Sequence, residues 1–140
     1  MNRMRGSVLT AFVLLATLSA GVQAAKSVTV QDQTNAVPTV GSAPSAGDVK
    51  KAILRAAVER GWQPISDTGG RVRLQLDEKK KGAYRLVIDV VYDAKNYTIK
   101  YVSSDGLKYN EKDSTIHSSY QRWTNLLIQT INRDILAKSI

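Results

Sequence analysis

The fold is decided by residues 71–101, which read RVRLQLDEKKKGAYRLVIDVVYDAKNYTIKY. Large apolar and aromatic residues recur at every second position in three runs of this stretch, and a period of two indicates strands that bury one face. The links between the runs, Asp77 to Gly82 and Asp93 to Asn96, are short and polar. Links of this length join antiparallel neighbours, so we expect a three-stranded antiparallel meander.

Two amphipathic helices are predicted outside the meander, because the apolar spacing changes there to three and four. The first helix begins at Ser45 or Asp48, either of which can cap its free N–H groups, and it ends at Gly61. Its apolar stripe comprises Val49, Ala52, Ile53, Ala56 and Ala57, and that of the second helix comprises Tyr120, Trp123, Leu127, Ile131 and Ile135. Trp62 is expected to pack beneath the end of the first helix. The predicted fold class is α+β, a two-layer α-β-β-β-α domain with both helices on one face of the sheet.

The two faces of the meander are expected to differ. The inward face comprises Val72, Leu74, Leu76, Tyr84, Leu86, Ile88, Val90, Tyr92, Tyr97, Ile99 and Tyr101. The opposite face comprises Arg71, Arg73, Gln75, Arg85, Val87, Asp89, Val91, Thr98, Lys100 and Val102. Helices on one side of an antiparallel sheet leave the other side open, so this basic face is the first candidate binding surface. Modules that stack nucleic acid expose aromatic rings on the sheet, whereas the tyrosines here lie on the inward face, which disfavours nucleic acid as a partner.

A second candidate binding surface is the cluster Lys79, Lys80 and Lys81 in the first link of the meander. Three lysines at a hairpin tip can contact anionic head groups or polysaccharide. A charged tip also keeps strands soluble and prevents association between sheet edges. Both interpretations stay open at this point.

Residues 1–24 have the three parts of a cleavable secretory signal peptide. Arg3 and Arg5 make the start positive, and the apolar run from Val8 to Ala20 is too short to span a bilayer. Val22-Gln23-Ala24 supplies the small residues that a signal peptidase requires. We therefore expect cleavage after Ala24 and an exported protein without a transmembrane segment, periplasmic in preference to secreted.

Residues 25–47 are rich in Ser, Thr, Gln, Gly, Pro and Ala, and this composition predicts a flexible leader. Val28-Thr29-Val30 alternates like a strand, but three residues are too few to predict an edge strand. Residues 48–140 are then expected to form the single α+β domain.

The charge and the composition restrict the classes of function. The whole chain has a formal charge of +8, and removal of Arg3 and Arg5 with the signal peptide leaves +6. Such a charge favours anionic partners, although a modest positive charge also serves solubility alone. The chain has no cysteine, which excludes disulfides, thiolate metal sites, cysteine nucleophiles and a lipid anchor on a cysteine.

Three segments resemble a family of small, uncharacterised proteobacterial envelope proteins. They are Arg60-Gly61-Trp62, the strand Tyr97-Thr98-Ile99-Lys100-Tyr101, and IHSSYQRW at residues 116–123. The resemblance covers roughly Val37 to Leu136 and implies the fold and an envelope location, but no activity. Many members of that family are described as lipoproteins, and the missing cysteine departs from them and favours a free form.

Catalytic chemistry has few candidate residues in this chain. His117 is the single histidine and the only side chain whose ordinary pKa lies near neutrality. With Ser114, Ser118 and Ser119 close by at a helix start, a capping role is the simpler interpretation. No residue spacing predicts a metal site, and no glycine-rich loop opens a helix to hold a phosphate-bearing cofactor. We therefore expect no catalytic residue, no cofactor and no metal ion.

These features predict a noncatalytic, exported envelope protein that binds a partner protein or an anionic envelope component. The expected surface is the open sheet face with Arg71, Arg73, Arg85 and Lys100, or the tip with Lys79, Lys80 and Lys81. The alternative is a small hydrolase or transferase with His117 as its base. It requires a nucleophile from another element beside His117.

Overall fold

The structure, a computed structural model, describes residues 26–79 and 83–139. The expected signal peptide, its cleavage site after Ala24, and Lys80 and Lys81 lie outside the described residues. In chain order the elements are β1 (Ser27–Thr29), β2 (Gln33–Ala36), α1 (Ala46–Glu59), β3 (Gln63–Thr68), β4 (Arg71–Glu78), β5 (Tyr84–Tyr92), β6 (Asn96–Asp105), β7 (Thr115–His117) and α2 (Ser119–Ser139). They form a five-stranded sheet in the order β2-β6-β5-β4-β3 and a two-stranded sheet of β1 and β7.

The predicted meander is the centre of the larger sheet, and the α+β class is confirmed. Strands β4, β5 and β6 pair antiparallel, with Leu74 opposite Ile88 and Val90 opposite Ile99. These four side chains are fully buried under the helices. A bulge at Val102 shifts the pairing of β5 and β6 by one residue, so that Ser103 lies opposite Val87 and Asp105 lies opposite Arg85.

The sheet has two more strands than the three that were expected, one at each edge. Strand β3 occupies residues in which Pro64 and Asp67 had indicated a turn, and none of its residues is buried. A strand without a buried face lacks the alternation that identifies strands in a sequence. Pro64 and a register shift beside it are typical of edge strands, where they discourage pairing with other chains.

The prediction of a flexible leader is also partly wrong, since β1 and β2 both lie within residues 25–47. Val28 lies opposite Ile116 of β7, and Asn35 lies opposite Tyr97 of β6. Long-range pairing holds these short polar strands, and local composition carries no sign of it. Within the described residues, regular structure therefore already includes Ser27–Thr29 and Gln33–Ala36, ahead of residue 48.

Helix α1 forms as its sequence predicts. Ser45 is the N-cap: its hydroxyl accepts a hydrogen bond from the Asp48 amide at 3.1 Å, and the Asp48 carboxylate accepts one from the Ser45 amide at 3.0 Å. The five residues of the apolar stripe are fully buried. Gly61 ends the helix with a positive φ of 84°, and Trp62 is only 3% exposed, which confirms its packing role.

Helix α2 runs antiparallel to α1 and extends beyond it. The Arg60 Nε at the end of α1 donates to the Thr130 hydroxyl at 2.7 Å, while Asp48 at its start shares a cleft with Lys138. The buried side chains of α2 include Tyr120, Leu127, Ile131 and Ile135, whereas Trp123 is half-buried and stacks on Tyr84 of β5 at 4.7 Å. Among the described residues, neither helix has the length and apolarity that crossing a bilayer requires.

Candidate binding surfaces

The sheet face away from the helices, here called the open face, carries four of the predicted binding residues. Alternation in the strands places Arg71 and Arg73 on β4, Arg85 on β5 and Lys100 on β6. Arg73, Asp89 and Lys100 lie side by side across the three strands of the meander. Arg71, Arg73, Arg85 and Lys100 therefore share one surface, as the sequence predicted.

Asp89 lies at the centre of this surface and engages two of the cations. Arg73 donates to both carboxylate oxygens of Asp89, at 2.8 and 3.0 Å, and a guanidinium nitrogen of Arg71 lies 3.9 Å from the same carboxylate. The hydrogen bond with Asp89 raises the pKa of Arg73. Asp89 is only 8% exposed and Val87 beside it is also buried, so the middle of the open face is less accessible than we expected.

The other two cations of the open face are paired as well. The Arg85 Nε lies 3.1 Å from a carboxylate oxygen of Asp77, and the Lys100 Nζ lies 3.4 Å from Asp32. Hydrogen bonds from Gln75 and then Arg85 lower the pKa of Asp77. Sequence patterns missed both partners, because Asp77 was assigned to a link and Asp32 to the leader.

The open face consequently carries a balanced set of charges. Its four cations are matched by the carboxylates of Asp32, Asp77, Asp89 and Asp105, the last of which lies in register with Arg85. Equal numbers of both signs at close range leave little field to attract an anion. Of the lysine tip, only Lys79 is described, and it is exposed; a role for Lys79, Lys80 and Lys81 stays a prediction.

A second surface is formed by the outward sides of the two helices. On α1 it includes Lys51, Arg55 and Val58, which are spaced by four and three residues and so share one strip. On α2 the corresponding strip comprises Arg122, Leu126, Gln129, Arg133 and Ala137. All eight side chains are exposed. We call these two strips, with Asp48, Glu59, Arg60, Asp134 and Lys138 that lie on or beside them, the helical surface.

The helical surface has a net positive charge. Its cations are Lys51, Arg55, Arg60, Arg122, Arg133 and Lys138, and its carboxylates are Asp48, Glu59 and Asp134, so the formal charge is +3. Arg133 pairs with both Glu59 and Asp134. Asp48 is engaged in the helix cap, and its hydrogen bonds with Ser45 lower its pKa. Within the described part of the chain, Lys51, Arg55 and Lys138 form no ion pair.

A small cleft of about 150 Å³ opens between the two helix ends and the loop before α1. Arg55 and Lys138 line it together with Asp48 and Asp134. Both signs of charge meet there, and the volume is far below the several hundred Å³ of a usual small-molecule site. The cleft is therefore part of the helical surface and not a substrate pocket.

His117 is placed at the junction of β7 and α2. Its Nδ1 accepts a hydrogen bond from the Ser119 amide at 3.1 Å, and this amide belongs to the first turn of α2. The Ser119 hydroxyl accepts a hydrogen bond from Arg122. Across residues 26–79 and 83–139, His117 makes no hydrogen bond with a hydroxyl group. The ring thus satisfies one of the free N–H groups at the helix start.

Metal ligands do not converge within the described ranges, which contain no group of three or more His, Cys, Asp or Glu side chains able to hold an ion. Comparison with known protein families and with curated proteins gave no match. The function must therefore be inferred from the residues of this chain. The resemblance to envelope proteins stays a prediction.

Proposed function

We propose that the protein is a noncatalytic, exported module that binds an anionic component of the cell envelope through its helical surface. The observation that carries this proposal is the unequal distribution of charge between the two outer surfaces. The helical surface has a formal charge of +3, whereas the cations of the open face are matched by carboxylates. The signal-peptide pattern of residues 1–24 supports export.

The physical argument concerns the local field. Exposed charges separated by more than about 10 Å are screened from each other at moderate salt, so an anion responds to the nearest patch and not to the whole molecule. On the open face each cation has a carboxylate within 4 Å. On the helical surface, neither Lys51 nor Arg55 has a carboxylate of the described residues within 4 Å, and the two lie one helical turn apart. The helical surface is therefore the stronger attractor for an anion.

The alternative of a hydrolase or transferase with His117 as its base has no observation in its favour. One ring nitrogen of His117 already accepts a hydrogen bond from the Ser119 amide. The neighbouring Ser119 hydroxyl accepts one from Arg122. A base in such an enzyme would instead hold a nucleophile from another element.

The test is retention of the purified protein on a sulfated polysaccharide matrix, followed by elution with salt. The triple variant Lys51→Gln, Arg55→Gln and Arg122→Gln should elute at clearly lower salt than the unmodified protein. The matched control, Arg71→Gln, Arg85→Gln and Lys100→Gln, removes the same charge from the open face and should elute later than the helical variant. Equal elution of the two variants would contradict a local site, and earlier elution of the control would place the site on the open face.

A further inference from the structure

The helical surface combines its cations with exposed apolar side chains. Val58 is 65% exposed on the strip of α1, three residues after Arg55. Leu126 is 36% exposed on the strip of α2, four residues after Arg122 and seven before Arg133. Further along α2 lies a shallow, open depression of about 570 Å³, lined by Gln129, Asn132, Arg133, Leu136 and Ala137. Both helices thus present apolar groups between basic ones.

The combination of cations and exposed apolar side chains favours some anionic ligands over others. A soluble polyanion gains from the cations but nothing from exposed Val58 and Leu126, which sulfate or carboxylate groups cannot desolvate. A bilayer with anionic head groups offers both phosphate charge and an apolar layer just beneath it, and surface helices with basic and apolar residues bind at that boundary. The two strips lie on antiparallel helices of one layer, so they can meet a flat surface together.

We propose that the helical surface docks on an anionic lipid bilayer, with Val58 and Leu126 entering the head-group region and the flanking cations contacting lipid phosphates. This inference rests on the proposed function and names its ligand. Each basic residue near an anionic leaflet contributes roughly fivefold to binding. With a formal charge of +3 and two exposed apolar side chains, the association is reversible and depends on salt.

The experiment is co-sedimentation of the purified protein with vesicles. We expect binding to vesicles that contain phosphatidylglycerol, loss of that binding at high salt, and little binding to pure phosphatidylcholine. Lys51→Gln with Arg55→Gln should weaken binding by on the order of 25-fold. Val58→Ser with Leu126→Ser should also weaken it, whereas Val91→Ser, an exposed valine on the open face, is the matched control and should not.

The outcomes separate this inference from the proposed function. Binding to sulfated polysaccharide without binding to phosphatidylglycerol vesicles would overturn lipid docking and leave the helical surface as a polyanion site. Vesicle binding that is unchanged by the Val58 and Leu126 replacements, with native circular dichroism, would also overturn it. If neither ligand is bound at low salt, both proposals fail.

Discussion

The two faces of the central sheet are stabilised by different forces. On the covered face, Leu74, Ile88, Val90 and Ile99 are fully buried beneath the helices, so the contribution comes from apolar surface removed from water. On the open face, arginine and lysine side chains pair with carboxylates across neighbouring strands. Since these pairs cancel one another, the helical surface, with its formal charge of +3, is the more positive of the two surfaces. A sheet face that looks basic when only its arginines and lysines are counted can thus be electrically neutral once the chain is folded.

The largest expected effect lies on the covered face. Ile88→Ala should lower the free energy of unfolding by about 2–5 kcal/mol, because it removes buried methylene groups and leaves a cavity. Val91→Ala, three residues along the same strand but on the open face, should change it by less than about 0.5 kcal/mol. Urea unfolding followed by circular dichroism measures both. Similar losses in the two variants would contradict the division into a covered and an open face.

An intermediate effect is expected at Asp89. Asp89→Asn should cost about 1.5–3 kcal/mol, since it removes the charge that Arg73 binds through two hydrogen bonds. The same change frees Arg71 and Arg73, so the variant should also be retained more strongly on an anionic matrix. Arg73→Gln should cost stability without increasing retention. An Asp89→Asn protein that elutes with the unmodified one would show that the pair does not mask the open face.

Among the buried positions, the smallest effect at neutral pH is expected at Tyr120, a polar exception within the covered side. Its hydroxyl is buried and has no hydrogen-bond partner among the described residues, so Tyr120→Phe should change stability by no more than about 1 kcal/mol. Tyr97→Phe is the control, because its hydroxyl donates to Asn132 at 2.7 Å and its loss should cost more.

The pH dependence of Tyr120 provides a sharper comparison. Burial raises the pKa of Tyr120 to about 12, from an ordinary value of 10.0. The unfolded chain therefore loses this proton first, and stability should fall as pH rises above 10 and until it passes about 12, with full stability below that window. The Tyr120→Phe variant should lose stability less steeply across the same range in urea titrations. An unchanged slope would mean that this tyrosine ionises as freely in the fold as in the unfolded chain.

Sequence patterns predicted the elements that bury a regular stripe. The period of two in β4, β5 and β6 and the period of three and four in α1 and α2 both follow from one-sided burial. Ser45, Gly61 and Trp62 were assigned correctly because caps and helix ends depend on local chemistry. The open face was also assigned to the correct residues, except that Asp89 and Val87 are buried there and Val102 lies in a bulge without a pairing partner.

The remaining features depend on which distant segments meet, and a single sequence does not contain that information in its local pattern. Strands β1, β2 and β3 are short or polar and form only because β7, β6 and β4 offer backbone partners. The pair between Lys100 and Asp32 requires the leader to fold back on the sheet. The charge of each surface depends on such pairs. Our candidate site is therefore the helical surface, whereas the sequence had indicated the open face.

The pairing of β1 with β7 has a consequence for the order in which the chain folds. Ser27 lies opposite His117, and the Lys26 carbonyl accepts a hydrogen bond from the Ser118 amide, so the first described residues meet the last helix. Contacts between positions so far apart in the sequence form late in folding. Closing the long loop between them costs conformational entropy before the contacts stabilise the chain. The core cannot be completed until α2 has been synthesised. If the protein is exported unfolded, as we propose, this delay helps it, since premature folding would obstruct its passage through a translocation channel.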